Sequence, residues 1–443
     1  MKISHKQKKN CPITITEAII QKILKAIDNV GAWWLTVLFL ALIAWMEQLL
    51  YGQDVYFFIH FTYAIVLSMI LSSPVNGMLN FHLNEALFKK DYNEVLNSLT
   101  GAVLLVMPMI FSIALLLFVS VSLKPFSHGL IFAALTTGLG ALWIINNIMM
   151  MLKLERLIFV NYLLALGLTF TFIFFTRDFF KIEYVLVLLI LEFSGIAFIQ
   201  YAYIFKIYHR NSILSYSFSF FKKDALPVLL FFLFFNLGFW IDKLLFWFMP
   251  ETTHPVDSLF RYSDYDYPFF VAFTILSLAQ LLMRRVNEYI IKKPYISMLD
   301  NGKKELISAY RKDFYSLIVL YGTLIMIIML MVSQGFIQSP WINPYVFQII
   351  IIATLFIGLF SLNILILDYL NQNKLLAWLS FLFFVLNGLL TFIGIKLNIP
   401  YDGFGLLFSS MLVFLLSYYF VENFLGHWEY VIIKDIADDF WNE

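Results

Sequence analysis

The chain has 443 residues, of which 61% are hydrophobic and only 13% charged, and its formal net charge is +1. A water-soluble globule of this length would expose far more charge, so the composition is that of a membrane protein. Near-neutrality leaves no broad basic face for nucleic acid, and no loop between apolar runs exceeds about 30 residues, too few for a separate catalytic domain.

The chain opens on "MKISHKQKKN", a basic head that lacks, directly behind it, the apolar core and small-residue cleavage site of a signal peptide. In "TITEAIIQKILKAID", residues 14–28, Thr14 and Glu17 form a capping box and Ile19, Ile20, Ile23 and Ile27 an apolar stripe. Residues 1–28 therefore read as a cytoplasmic amphipathic segment with Lys22 and Lys25 near anionic headgroups, or as a plain extension. Cys11 is the only cysteine, which excludes an intramolecular disulfide, a Cys-pair metal site and a CxxC redox centre.

Twelve apolar runs of about 20 residues follow, each long enough to cross the hydrocarbon. The first six, near 30–51, 55–76, 97–119, 129–150, 156–176 and 182–205, make an N-lobe over 29–206. A cytoplasmic connection at 207–225 leads to six more, near 226–248, 265–283, 313–333, 345–367, 374–395 and 402–424. These make a C-lobe over 226–424, and a cytoplasmic tail occupies 425–443. The runs are too long for barrel strands and do not alternate, so their backbones must satisfy themselves as helices. The expected fold is an all-α polytopic membrane protein of about twelve helices in two pseudo-symmetric six-helix lobes. Of 30 Lys and Arg residues, 24 fall on the side of the N-terminus and five on the other, with Lys243 inside the seventh run. Both termini are therefore expected in the cytoplasm.

One short phrase recurs: "NEALFKKDY" at 84–92 returns as "NEYIIKKPY" at 287–295. The copies follow the second and eighth runs, and six runs return the chain to the same side, so the halves are expected to be parallel repeats. Run pairs one/seven and two/eight are offset by about 200 residues, the later pairs by about 217, with an insertion near "LDNGKKELISAYRKD". Parallel halves around an axis along the membrane normal are a transporter architecture. Lys89, Lys90, Arg284, Arg285, Lys292 and Lys293, in or beside the copies, are candidate docking points for partner proteins or inner-leaflet headgroups.

No phosphate loop, HExxH or carboxylate cluster occurs, so no enzyme activity, cofactor or metal is expected. His60, alone inside the second run, reads as a packed hydrogen-bonding residue. Charges within the hydrocarbon are costly and mark cavities or pairs. Glu192 in "LLILEFSGIAF" either lines a path, titrates as a proton site, or packs as a hydrogen-bonded core residue. Asp242 and Lys243 in "NLGFWIDKLLFWF" point about 100° apart on a helix, so each is expected to meet another helix or water. "FRYSDYDYPFF" adds Tyr262, Asp264, Tyr265 and Asp266 at the outer mouth. With Trp240, these eight residues are the candidate substrate path: aromatic faces beside hydrogen-bonding groups suit sugars.

At these residues the chain resembles a known family. "FFNLGFWIDKLLFWFMP", residues 234–250, followed by "YSDYDYPFFVAFTILSLAQLLMRRVNEY", is similar to the PelG family of exopolysaccharide export proteins. Its N-L-G-x-W-x-D-K-x-x-F-W-F signature is matched by Asn236, Leu237, Gly238, Trp240, Asp242, Lys243, Phe246, Trp247 and Phe248. "SSPVNGMLNFHLNEALFKKDYNEVLNSLTGAV", residues 72–103, looks similar as well. The resemblance implies the multidrug/oligosaccharidyl-lipid/polysaccharide flippase superfamily and bacterial inner-membrane export of a Pel-type polymer rich in N-acetylated amino sugars. It also implies the glycosyltransferase PelF, the cyclic-di-GMP receptor PelD and PelE as partners. A single basic residue within the runs suits a neutral glycan better than a lipid-linked diphosphate, whose phosphates call for several. The alternatives are a lipid-linked oligosaccharide flippase, a scaffold subunit of the synthase complex, and an ion-coupled drug exporter.

Overall fold

The computed structural model describes residues 34–38, 56–121, 125–176, 182–208, 215–252, 254–256, 259–283, 286, 289–290, 302–334, 343–399 and 402–427. The N-terminal amphipathic segment, most of the first run, the end of the tail, and Arg284, Arg285, Lys292 and Lys293 lie outside the described residues.

Among the described residues the fold is helical, with one small hairpin. Five helices come first: α1 (Tyr56–Phe88), α2 (Tyr92–Val121), α3 (Phe126–Met151), α4 (Glu155–Thr176) and α5 (Ile182–Tyr208). A 3-10 turn at Lys223–Ala225 leads into α6 (Leu226–Phe248). Strands β1 (His254–Val256) and β2 (Leu259–Arg261) then pair antiparallel, with His254 opposite Arg261. The chain ends in α7 (Ser263–Leu282), α8 (Gly302–Ser333), α9 (Pro344–Tyr369), α10 (Asn373–Lys396) and α11 (Phe404–Gly426). Residues 34–38 of the first run are also helical.

Ten of these helices are long and apolar enough to span a membrane. The exception, α7, carries Asp264 in its first turn and Asp266, Thr274, Ser277 and Gln280 in the run read as the eighth span. Side chains such as Leu168 and Phe175 are 71% and 78% exposed, as faces turned to hydrocarbon must be. Two cores lie beneath them. One is built on α1–α5, with Leu79, Leu83, Leu99 and Leu142 at its centre, and the other on α6–α11, around Trp240, Leu362, Phe383 and Val413.

Small residues bring the helices together, as lipid offers no hydrophobic drive for their association. A Cβ on Gly140 of α3 would stand 2.2 Å from Ile110 of α2. Across the lobes, a Cβ on Gly77 of α1 would stand 2.3 Å from the ring of Phe232 on α6, and Ser73 Oγ donates to the Phe232 carbonyl at 3.3 Å. Trp34 Nε1, in the first run, donates to Ser277 Oγ on α7 at 2.8 Å. Runs one and two of one lobe thus meet runs eight and seven of the other.

Two helices outrun their apolar stretches. In α1, Leu79, Leu83 and Ala86 keep a three-to-four spacing and stay buried past the last apolar run, so the helix continues to Phe88. It stops at the exposed Lys89 and at Lys90, whose φ of 58° turns the chain into α2. "NEALFKKDY" is therefore a helix corner. At the other end of the sequence, "GKKELISAYRKD" is the opening of α8, with Leu306, Tyr310 and Asp313 buried along one face.

The connection between the lobes is fastened to that corner. In "SYSFSF", residues 215–220, the serines turn inward and Tyr216 and Phe218 outward. Glu94 of α2 accepts from Ser98 Oγ at 3.0 Å, from Ser217 Oγ at 3.2 Å and from Ser219 Oγ, with His82 Nε2 of α1 at 3.0 Å. Ser217 N donates to the Asn97 carbonyl at 3.0 Å, and its own carbonyl lies where a Cβ on Gly101 would sit, 2.1 Å away. Replacing Glu94 with alanine leaves these donors without their shared acceptor. A loss of about 1–2 kcal/mol is expected, read as a lower unfolding temperature in detergent and faster proteolysis at 215–222.

Candidate functional site

The site is built where α6 and α7 meet under the β-hairpin. Trp240, Lys243 and Trp247 share one face of α6 because three and four residues separate them. Asp266, Phe269 and Phe270 share a face of α7 for the same reason. Interlocking these faces puts the Lys243 ammonium 4.8 Å from the centre of the Phe269 ring and 5.6–5.7 Å from those of Trp240, Trp247 and Phe270. The ammonium is fully buried and lies 3.4 Å from Asp266 Oδ1.

Asp266 is the hub. Trp247 Nε1 donates to both its carboxylate oxygens at 3.1 Å, and the backbone amide of Tyr262, the residue before α7, donates to Oδ2 at 3.1 Å. The acid thus closes back on its own helix start, where the dipole favours a negative charge. Asp242 looks the other way: Tyr265 OH and the Lys243 amide donate to it, the latter at 2.7 Å. Adjacent Asp242 and Lys243 therefore each reach a different residue of α7 rather than one another's side chain. Next to them, Tyr262 OH donates to Asp402 Oδ2 at 2.6 Å. Burial pushes the Asp402 carboxyl above its usual range, with Asp264 adding to the rise and the Tyr262 hydroxyl opposing it.

The surface of this cluster is a narrow crevice of about 10 Å³ between the lobes, lined by Phe58, Ile59, Thr62 and Tyr63 of α1, Trp247, Arg261 of β2, and Asp266 and Tyr267. Tyr63 stacks on Trp247 with ring centres 4.0 Å apart and planes 11° apart, and its hydroxyl donates to the Phe260 carbonyl at 2.9 Å. Phe58 stacks on Tyr267 at 4.8 Å.

The eight candidate path residues thus occupy different places. Asp266 lines the crevice. Trp240, Asp242, Lys243 and Tyr265 lie beneath it, fully buried inside the lobe of α6–α11, while Tyr262 joins that lobe's rim and Asp264 is exposed there. Glu192 is buried on α5 in the other lobe, 8% exposed. Thr62, Tyr63 and Trp247 were not among the candidates, whereas Arg261 and Tyr267 belong to the outer-mouth stretch "FRYSDYDYPFF" itself. Trp247 stands in the quoted signature, whereas Tyr63 sits in an ordinary apolar run with nothing local to single it out. Among the described residues no group of three His, Cys, Asp or Glu side chains is placed to hold a metal ion. The cluster presents no free nucleophile; it offers aromatic faces, one arginine and one neutralised carboxylate to a polar ligand.

This arrangement of two helical lobes is the fold of MATE and MOP superfamily transporters of known structure. A MATE transporter in its bent conformation superposes with a TM-score of 0.63 at 12% identity, over 94% of this chain and 97% of that one. The outward-facing conformation of a multidrug resistance MATE family transporter gives 0.61 at 11%, over 93% and 96%. A MOP superfamily transporter from Pyrococcus furiosus gives 0.58 at 11%, also over 93% and 96%. No curated protein matches the chain by sequence. The family model PelG, described as "Putative exopolysaccharide Exporter (EPS-E)", matches residues 22–432. The chain belongs to the PelG family and is a multi-pass membrane exporter.

Proposed function

We propose that this protein moves a neutral, Pel-type glycan rich in N-acetylated amino sugars across the bacterial cytoplasmic membrane, along the junction of its two lobes. The hairpin end would face outward and both termini the cytoplasm, in keeping with the distribution of Lys and Arg. The observation that carries the reading is the inter-lobe crevice, which combines aromatic faces with Asp266, Thr62 and Arg261. Such a lining suits hydroxyl-rich, uncharged rings. Lys243 is paired with Asp266, so among the described residues Arg261 is the one basic residue lining the crevice, against the several cations a lipid diphosphate would need. Membership of the family supports a synthase made with PelF, PelD and PelE as the source of the polymer, and Lys89 and Lys90, exposed at the α1–α2 corner, as contacts for it or for headgroups.

The test is reconstitution. Purified protein in liposomes, supplied with the synthase and labelled sugar nucleotide, is expected to place polymer on the far side without other membrane subunits. Polymer bound but never transferred would make the protein a scaffold and overturn the reading.

A further inference from the structure

We infer that Trp247 is a sugar-stacking subsite at the hairpin end of the passage, and that Tyr63 is the lid which covers it while the lobes are together. The inference rests on the proposed inter-lobe path and gives it a specific binding surface. Its basis is an asymmetry in how the two stacked rings are held.

Trp247 belongs to the α6–α11 lobe, and everything that orients it belongs there too. Its indole N–H is fixed by both oxygens of Asp266, and Asp266 is itself fixed by Lys243 and the Tyr262 amide. The indole face therefore keeps its direction whether or not the other lobe is near. Tyr63 belongs to the opposite lobe, and its polar anchor, the Phe260 carbonyl, lies across the junction. Parting the lobes at this end breaks that bond and withdraws the ring together.

The stack itself is nearly parallel, with ring centres 4.0 Å apart and planes 11° apart, so the Tyr63 ring covers the indole face that a flat ligand would take. A pyranose presents a flat array of C–H bonds that can take the place of the Tyr63 ring on the indole, and its hydroxyls would reach the carboxylate oxygens, Thr62 and Arg261 at the crevice wall. The ligand class follows from charge. Asp266 is balanced by Lys243 and its indole partner, so the subsite does not draw an organic cation, and one arginine does not hold a diphosphate.

The test uses the full-length protein purified in detergent, with chitohexaose as the probe and tetraphenylphosphonium as a cationic comparison. Tyr63→Ala is expected to bind chitohexaose about tenfold more tightly than the unmodified protein, because the competing lid is gone. Tyr63→Phe, which keeps the ring and loses only the bond to Phe260, is expected to give a smaller gain of about threefold and guards against poor folding of the alanine variant. Adding Trp247→Leu should abolish both gains. If both Tyr63 variants fold and neither binds the sugar more tightly, the pair is core packing and the inference fails. A gain for tetraphenylphosphonium rather than sugar would also overturn it. Reconstituted export separates the two levels: transfer by the unmodified protein with no gain in the variants sinks the subsite alone, whereas a gain without transfer sinks the conduit reading alone.

Discussion

Replacing Asp266 with alanine is expected to cost about 3–5 kcal/mol and to leave little folded protein, because it strands a buried cation. Lys243 has no exposure to water, and with the carboxylate gone its ammonium keeps only the ring faces around it and the charge of the neighbouring Asp242. The Trp247 indole and the Tyr262 amide lose their acceptor at the same time. Asp266→Asn keeps an acceptor but no charge, so an intermediate loss is expected. The informative variant is the pair Asp266→Asn with Lys243→Met, which removes both charges and is expected to recover most of the stability. Protein abundance and unfolding temperature in detergent check the series. An alanine variant as stable as the parent would mean that Asp266 does not hold Lys243.

The second large effect is expected at Gly238. A Cβ there would stand 2.6 Å from the Phe383 ring and 3.0 Å from the backbone nitrogen of Phe384, so α6 and α10 touch through the missing side chain. The glycine carbonyl also accepts from Asn387 Nδ2 at 2.8 Å. Gly238→Leu forces the helices apart, and about 3 kcal/mol or more is expected from overpacking together with the lost hydrogen bond. Because α6 also carries Asp242, Lys243 and Trp247, export should fall even in the fraction that folds. Gly238→Ala tests the gradient and should be milder. Unfolding temperature and secreted polymer, measured on the same cells, distinguish loss of protein from loss of transport.

Gly238 and Lys243, the partner of Asp266, show what the family signature encodes. Asn236 bonds to the Phe232 carbonyl one turn back, Gly238 admits α10, Trp240 and Lys243 pack in the lobe, and Phe246 stacks on Tyr262 at 5.1 Å. The Asp–Lys pair was legible in the chain because charge inside an apolar run has few explanations. The helix number and the two-lobed plan were legible because hydrocarbon thickness fixes the length of a run. Tyr63 was not, since nothing in an all-apolar helix tells which aromatic faces lipid and which faces the other lobe. The helix extensions past the apolar runs of α1 and α8 were missed because hydropathy ends where water begins, while three-to-four spacing continues. The clamp on Glu94 left a visible trace, the alternation of serine with aromatic residues at 215–220, but its partners His82 and Ser98 lie far away in sequence.

That clamp constrains how the molecule can move. With the chain sewn down as far as Ser219, only residues 220–225 remain before α6, a tether of roughly 20 Å if fully stretched. Phe220 and Ala225 are themselves buried, which shortens it further. The halves can tilt about that end like a hinged pair of covers, but they cannot drift apart there. Any parting of the lobes is therefore a motion whose amplitude grows with distance from the leash and is greatest under the hairpin.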